Sequence, residues 1–223
     1  MKNRVLVLAV HPDDETIGCG GTLLRHKAEG DEIYWLIATS MKETDGFTKK
    51  EVRNRKSQID AASQAYDFNR IYTLDISTKK VDLLPKVDII NKISEIFHKV
   101  KPNTIYLPFM NDVHSDHRII FELAFSCTKV FRYPFINKIL MMETVSETEF
   151  TPSLKGTVFT PNHFVNITNF LDKKIKIFKL FNNEIKKPPF PRSTENIKSL
   201  ATLRGSMAGC KYAESFMILK EIR

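Results

Sequence analysis

Apolar and polar positions alternate along this chain in blocks. Residues 5–10 form one continuous apolar run, the pattern of a strand buried on both faces. Residues 16–30 follow with helical spacing, Leu23 and Leu24 inside and Gly30 as the C-terminal stop. A strand over 33–38 precedes a helix over 49–66, whose Val52, Ile59, Ala62 and Ala65 share a face. A short strand at 71–74 leads to a helix over 87–100 with Ile90, Ile93, Ile96 and Phe97 aligned. Lys101-Pro102-Asn103 closes that helix, and 104–107 reads as a fourth strand. Beyond it the pattern predicts a helix over 121–131 and strands over 138–142 and 163–167. Leu171, Ile175, Phe178, Phe181 and Ile185 mark a further helix with a basic outer face. Lys186-Lys187-Pro188-Pro189-Phe190-Pro191 is a stiff loop, because proline forbids helix there.

Strands alternating with helices predict an α/β fold: a Rossmann-like, mostly parallel sheet with helices on both faces, in one domain spanning 1–223. In the strand order 3-2-1-4-5, strands one and four are neighbours, and the crevice at their carboxyl ends is where ligands bind. The segments after residues 10 and 107 are therefore expected side by side.

Composition narrows the class. An apolar share of 42% with 27% charged residues fits a soluble globular protein. No apolar run approaches the ~20 residues that span a bilayer. The run behind Lys2 and Arg4 is too short for a secretory signal, so a cytoplasmic protein is expected. Cys19, Cys127 and Cys210 are odd in number and widely separated. They fit buried thiols, not a disulfide framework or a Cys-rich zinc motif. The net charge of +8 is dispersed, which argues against nucleic acid and for attraction of an anionic small substrate.

Chemistry concentrates in His11-Pro12-Asp13-Asp14-Glu15 and His114-Ser115-Asp116-His117, each following an expected strand. Pro12 and the three acids suit a helix start. That reading leaves His11 unexplained and sets Asp13 beside Asp14 near a strand end, where two buried like charges are costly without a cation. Zinc takes nitrogen and oxygen ligands, and His11, Asp13, Asp14, His114 and His117 supply both. If three bind the metal, a carboxylate and an imidazole remain beside it as general base and general acid.

The run from His11 to Thr22, His-Pro-Asp-Asp-Glu-Thr-Ile-Gly-Cys-Gly-Gly-Thr, together with His114-x-Asp116-His117, resembles the LmbE-like, or PIG-L, family of zinc-dependent de-N-acetylases. These include N-acetylglucosaminyl-phosphatidylinositol deacetylase. The ending Arg204-Gly205-x-x-x-Gly209-x-x-Tyr212-Ala213-Glu214-x-Phe216 is similar to the family's C-terminal pattern. The resemblance implies an LmbE-like three-layer sandwich in which His11, Asp14 and His117 hold one zinc. It implies Asp13 as the base that activates the zinc-bound water. His114 would protonate the leaving amine or stabilise the oxyanion, with Asp116 orienting its ring and holding it charged. Arg53 would bind substrate. Ser115, Lys56 and Asn166 depart from the family's common proline, glutamate and aspartate.

The implied function is a zinc-dependent N-deacetylase, a hydrolase of linear amide C–N bonds acting on an N-acetylglucosamine-type sugar conjugate. Arg53 and Lys56 point to an anionic carrier, such as a nucleotide or lipid-linked phosphate. Another acyl amide, on an aminoglycoside-type or thiol-cofactor precursor, is the alternative substrate. A Rossmann-like dinucleotide-binding protein is opposed by Gly18, Gly20 and Gly21, which do not form G-x-G-x-x-G, and by the acidic cluster, which repels pyrophosphate. The basic 171–187 segment raises peripheral membrane contact, although its apolar face is more simply core packing. Assembly into a homo-oligomer stays open.

Overall fold

A computed structural model describes residues 2–78 and 80–223. Five parallel strands, β1 (Arg4–Ala9), β2 (Glu32–Ser40), β3 (Arg70–Ser77), β4 (Thr104–Leu107) and β5 (Lys138–Met142), alternate with α1 (Asp14–Ala28), α2 (Lys49–Tyr66), α3 (Lys86–Val100) and α4 (Ser115–Ser126). The chain continues through β6 (His163–Asn166), α5 (Leu171–Phe178), α6 (Thr194–Ala208) and β7 (Ala213–Glu221). The sheet order is β3-β2-β1-β4-β5-β7-β6, with β7 antiparallel to both its neighbours. The mixed, mostly parallel α/β fold is as the apolar blocks imply.

Two cores follow from the pleat. Leu6, Leu8 and Val10 face α3 and α4, packing with Ile93, Phe97, Ile120 and Leu123. Val5, Val7 and Ala9 face the other way, packing with Leu23, Ala62, Ile177 and Phe181. Both faces of β1 are thus buried, which is why its sequence is apolar throughout.

The C-terminal half departs from expectation. α4 begins at Ser115, six residues before the apolar pattern suggests, because its first turn faces the site instead of the core. α5 ends at Phe178 instead of reaching Ile185, and Lys174, expected on a basic outer face, is buried. α6 and β7 were not anticipated. The buried stripe of α6 is only Ile197, Ala201 and Gly205, with Leu203 and Met207 exposed, so it carries little apolar periodicity. Cys19 and Cys127 are buried free thiols, whereas Cys210 is half-exposed.

The glycines of α1 serve packing. A Cβ on Gly18 would lie 2.7 Å from Met142 Sδ, and one on Gly21 would meet three Ile167 carbons at 2.8 Å. Only hydrogen there lets α1 sit this close to the sheet and to the segment before α5.

Candidate metal centre and catalytic cleft

β1 and β4 are paired, so the loops leaving their carboxyl ends converge. His11 follows β1, and His114 is the N-cap of α4, one turn before His117. Asp13 is the N-cap of α1 and has φ 135°, a conformation costing a non-glycine residue about 1–3 kcal/mol. Several contacts hold it. Its carbonyl accepts from the Thr16 and Ile17 amides at 2.9 Å each, and its amide donates to Glu15 Oε2 at 3.0 Å. Thr16 Oγ1 donates to Glu15 Oε1 at 2.6 Å, and Tyr66 Oη donates to Thr16 Oγ1 at 3.1 Å.

His11 Nδ1, Asp14 Oδ2 and His117 Nε2 form a triangle with sides of 3.8, 3.3 and 3.4 Å. Zinc bonds of about 2.0–2.2 Å at tetrahedral angles require ligand atoms roughly 3.3–3.6 Å apart. The triangle fits that face, slightly open between His11 and Asp14. Asp14 and His117 are fully buried. Asp14 Oδ1, His11 Nε2 and Asp13 Oδ1 are buried with no hydrogen-bond partner among the described residues. Buried polar atoms left this way are costly, and a cation among them would offset that cost.

His117 has a carboxylate behind it. His117 Nδ1 is 2.8 Å from Asp112 Oδ2, and Asp112 Oδ1 accepts from Thr148 Oγ1 at 2.6 Å. A partner of this kind orients a metal-binding imidazole. Asp116 Oδ2 lies 3.7 Å from His11 Nε2, beyond hydrogen-bond reach. The Asp116 backbone amide donates to His114 Nδ1 at 3.1 Å, and the Asp116 carboxylate shares a cluster with His11 and His114 whose ligand atoms lie within 4.8 Å of one another. An accepting Nδ1 carries no proton, so the ring is neutral with its hydrogen on Nε2. Burial, then the neighbouring His11 and His117, push the His114 pKa down to about 4. His114 is thus not held charged.

The acids are displaced in opposite directions. Burial pushes Asp13 up to about 7, although Arg192 beside it acts the other way. Burial likewise raises Glu15 to about 8. For Asp14, burial is outweighed by His117, and its pKa falls below the usual carboxylate range. His117 moves up to about 10: burial opposes its charge, but Asp14 and Asp112 outweigh that.

A cleft of about 360 Å³ opens over these residues, lined by His11, Asp13 and His114 with Met41, Phe47, Arg55, Glu147, Glu184 and Arg192 among others. Arg53 is not in this lining. It is exposed, and its Nε donates to the Lys49 carbonyl of its own helix. Two positions along a helix turn the side chain by about 200°, so Arg55 points inward where Arg53 points out. Arg55 Nη1 donates to the Pro12 carbonyl at 2.9 Å, and its Nη2 pairs with Glu184. Lys56 is also exposed. Sequence reasoning missed Asp112, Arg55, Glu147, Glu184 and Arg192. Among these only Arg55 carried a usable signal, its place on the face of α2 that includes Ala62.

A second cleft of about 400 Å³ opens near the other ends of the strands, beside His26, Glu29 and Asp31. There both ring nitrogens of His26 are engaged, with Asp31 at 2.8 Å and Tyr106 Oη at 3.0 Å, and Asp31 also accepts from Asn3. Those groups satisfy one another, unlike the ones around His11.

The chain is similar to a diacetylchitobiose deacetylase of Thermococcus kodakarensis, 23% identical over 228 residues, 98% of this chain and 84% of that protein. Among solved structures it resembles an N,N'-diacetylchitobiose deacetylase of Pyrococcus horikoshii, with TM-score 0.76, 20% identity, and 98% and 84% of the two chains covered. It also resembles the 4-carboxy-2-hydroxymuconate hydratase of Pseudomonas putida, with TM-score 0.78, 17% identity, and 100% and 98% covered. A fold shared by a deacetylase and a hydratase does not choose between them. The PIG-L profile, described as GlcNAc-PI de-N-acetylase, matches residues 6–128, a span that takes in both histidine clusters and over half of the sequence. The chain therefore belongs to the PIG-L family of de-N-acetylases.

Proposed function

We propose that residues 1–223 act as one zinc-dependent deacetylase domain that removes the acetyl group from an uncharged N-acetylglucosamine-type sugar. The observation that carries this reading is the His11–Asp14–His117 triangle beside two groups of unequal protonation, Asp13 and His114. Family membership and a relative named as a diacetylchitobiose deacetylase support the acetamido sugar.

A divalent ion held by His11, Asp14 and His117 would lower the pKa of water and polarise the acyl oxygen. Asp13, which lines the same cleft as His11 and whose Oδ1 has no partner among the described residues, takes a proton from the attacking water and carries it toward the departing amine. His114 lines the cleft, and with Nδ1 accepting a backbone amide its Nε2–H is left to donate a hydrogen bond to the developing oxyanion. Phe47 and Met41 supply apolar surface for a sugar face.

The cleft does not favour an anionic carrier. Among the described residues of its lining, the two arginines, Arg55 and Arg192, are already bound to Glu184, Glu147 and Asp13. A phosphate would have to break those pairs, whereas hydroxyls need not.

The test is acetate release by the zinc-loaded protein from neutral and phosphorylated N-acetylglucosamine conjugates, with metal content measured in parallel. Neutral conjugates are expected to be turned over at least as well as phosphorylated ones. Asp13→Asn should retain its metal and lose about 10²–10⁴-fold in kcat. No acetate from any conjugate, or full activity in Asp13→Asn, would overturn the reading.

A further inference from the structure

Arg192 enters the site from 179 residues beyond Asp13, and no pattern in the sequence announces it. The segment that brings it is pinned. Ser193 Oγ caps α6 by accepting from the Asn196 amide at 3.1 Å. The Asn196 side chain donates to the Pro191 carbonyl at 3.1 Å and the Phe190 carbonyl at 3.4 Å. Arg192 therefore stands one residue before the cap of a 15-residue helix, on backbone held from both sides.

Its guanidinium is nearly buried and fully engaged. Nε donates to Ser146 Oγ at 2.7 Å, and Nη2 lies 3.3 Å from Glu147 Oε1. Nη1 donates to Asp13 Oδ2 at 3.0 Å and lies 3.5 Å from Glu184 Oε2. A planar fork tied at three nitrogens has little rotational freedom, so its Nη1 contact fixes where the Asp13 oxygen it grips sits. Asp13 needs such a grip: its backbone sits at φ 135°, and its other oxygen, Oδ1, has no partner among the described residues.

We propose that Arg192 is the positioning residue for Asp13: it holds Oδ2 and so presents Oδ1 toward the metal triangle. The inference rests on the base role assigned to Asp13 above. Arg192 binds neither the ion nor the substrate in this scheme, so its loss acts on turnover and not on metal affinity or KM. The fork matters as well as the charge, because an ammonium cannot hold Ser146, Glu147 and Asp13 in one plane.

The experiment compares Arg192→Gln and Arg192→Lys with the wild type for metal content, kcat and KM, and adds crystal structures of the zinc forms. Arg192→Gln should keep one metal per chain and a near-normal KM while kcat falls by about 10²-fold, the scale of a misplaced catalytic group. Arg192→Lys should recover only part of that loss. In the Arg192→Gln crystal the Asp13 carboxylate should be rotated away from the triangle. Unchanged kcat in Arg192→Gln, a loss confined to KM, or a loss that follows metal content would overturn the proposal. So would an Asp13 carboxylate that keeps its orientation. That structural readout stands even if the wild type releases no acetate, so failure of the proposed function and failure of this inference remain distinguishable.

Discussion

Asp112 touches no cleft surface, yet it determines what His117 can do. It is fully buried, holds His117 Nδ1 at 2.8 Å and is itself held by Thr148. With Nδ1–H committed to a carboxylate, the lone pair of Nε2 faces the triangle, and the ring is a stronger ligand for it. Asp112→Ala would leave that N–H buried without an acceptor and free the ring to turn. We expect metal affinity to fall about 10–100-fold, measured by competition with a chromophoric chelator. Asp112→Asn should lose less, since its amide oxygen still accepts from Nδ1–H and its NH2 can face Thr148 Oγ1. Equal affinity in wild type and Asp112→Ala would show that packing alone orients His117.

At the scale of elements, α1 is two helical pieces joined at Cys19, where φ is −145° and ψ 20°. The break exposes backbone groups that a continuous helix would satisfy. Glu214 of β7 accepts from the Gly21 and Thr22 amides at 2.8 and 2.7 Å. Lys174 of α5 donates to the Ile17 carbonyl at 2.8 Å and to Glu214 at 2.7 Å. One buried ion pair thus caps both sides of the break and ties the helix that begins with Asp14 to the C-terminal strand. Removing either partner strands the other charge in a dry site. Lys174→Ala and Glu214→Ala should each cost about 3–5 kcal/mol in denaturant unfolding. The double variant should cost less than the sum, because no charge is then left unpaired. Single variants within about 0.5 kcal/mol of wild type would contradict this role.

For the whole molecule, metal and pH act through the same groups. His117 has its folded pKa raised from 6.5 to about 10 in the metal-free protein, so it stabilises that state fully below its unfolded pKa. This contribution is lost as pH rises through the folded value. A bound ion must expel the same proton, so its affinity rises with pH over that window. The gap in Tm between zinc-loaded and chelator-treated protein should therefore widen from pH 6.5 toward pH 8.5, read by calorimetry at fixed free zinc. A constant gap would mean that His117 is neutral in the metal-free protein. Among the described residues no helix is long and apolar enough to cross a membrane. The sequence alone determined the parallel sheet, the neighbouring of β1 and β4, and hence the meeting of the His11 and His114 clusters. It could do so because strands buried on both faces must be apolar throughout, and because strand order follows from short right-handed crossovers. α6 and β7 were hidden for the converse reason: their inward positions include Gly205, Glu214 and Ser215, which carry no apolar period. Tertiary structure alone decided that Asp112, Glu147, Glu184 and Arg192 belong to the site. Contacts of that kind are made by single polar side chains across long stretches of chain, where packing and hydrogen-bond geometry choose the partner and local sequence leaves no periodic trace.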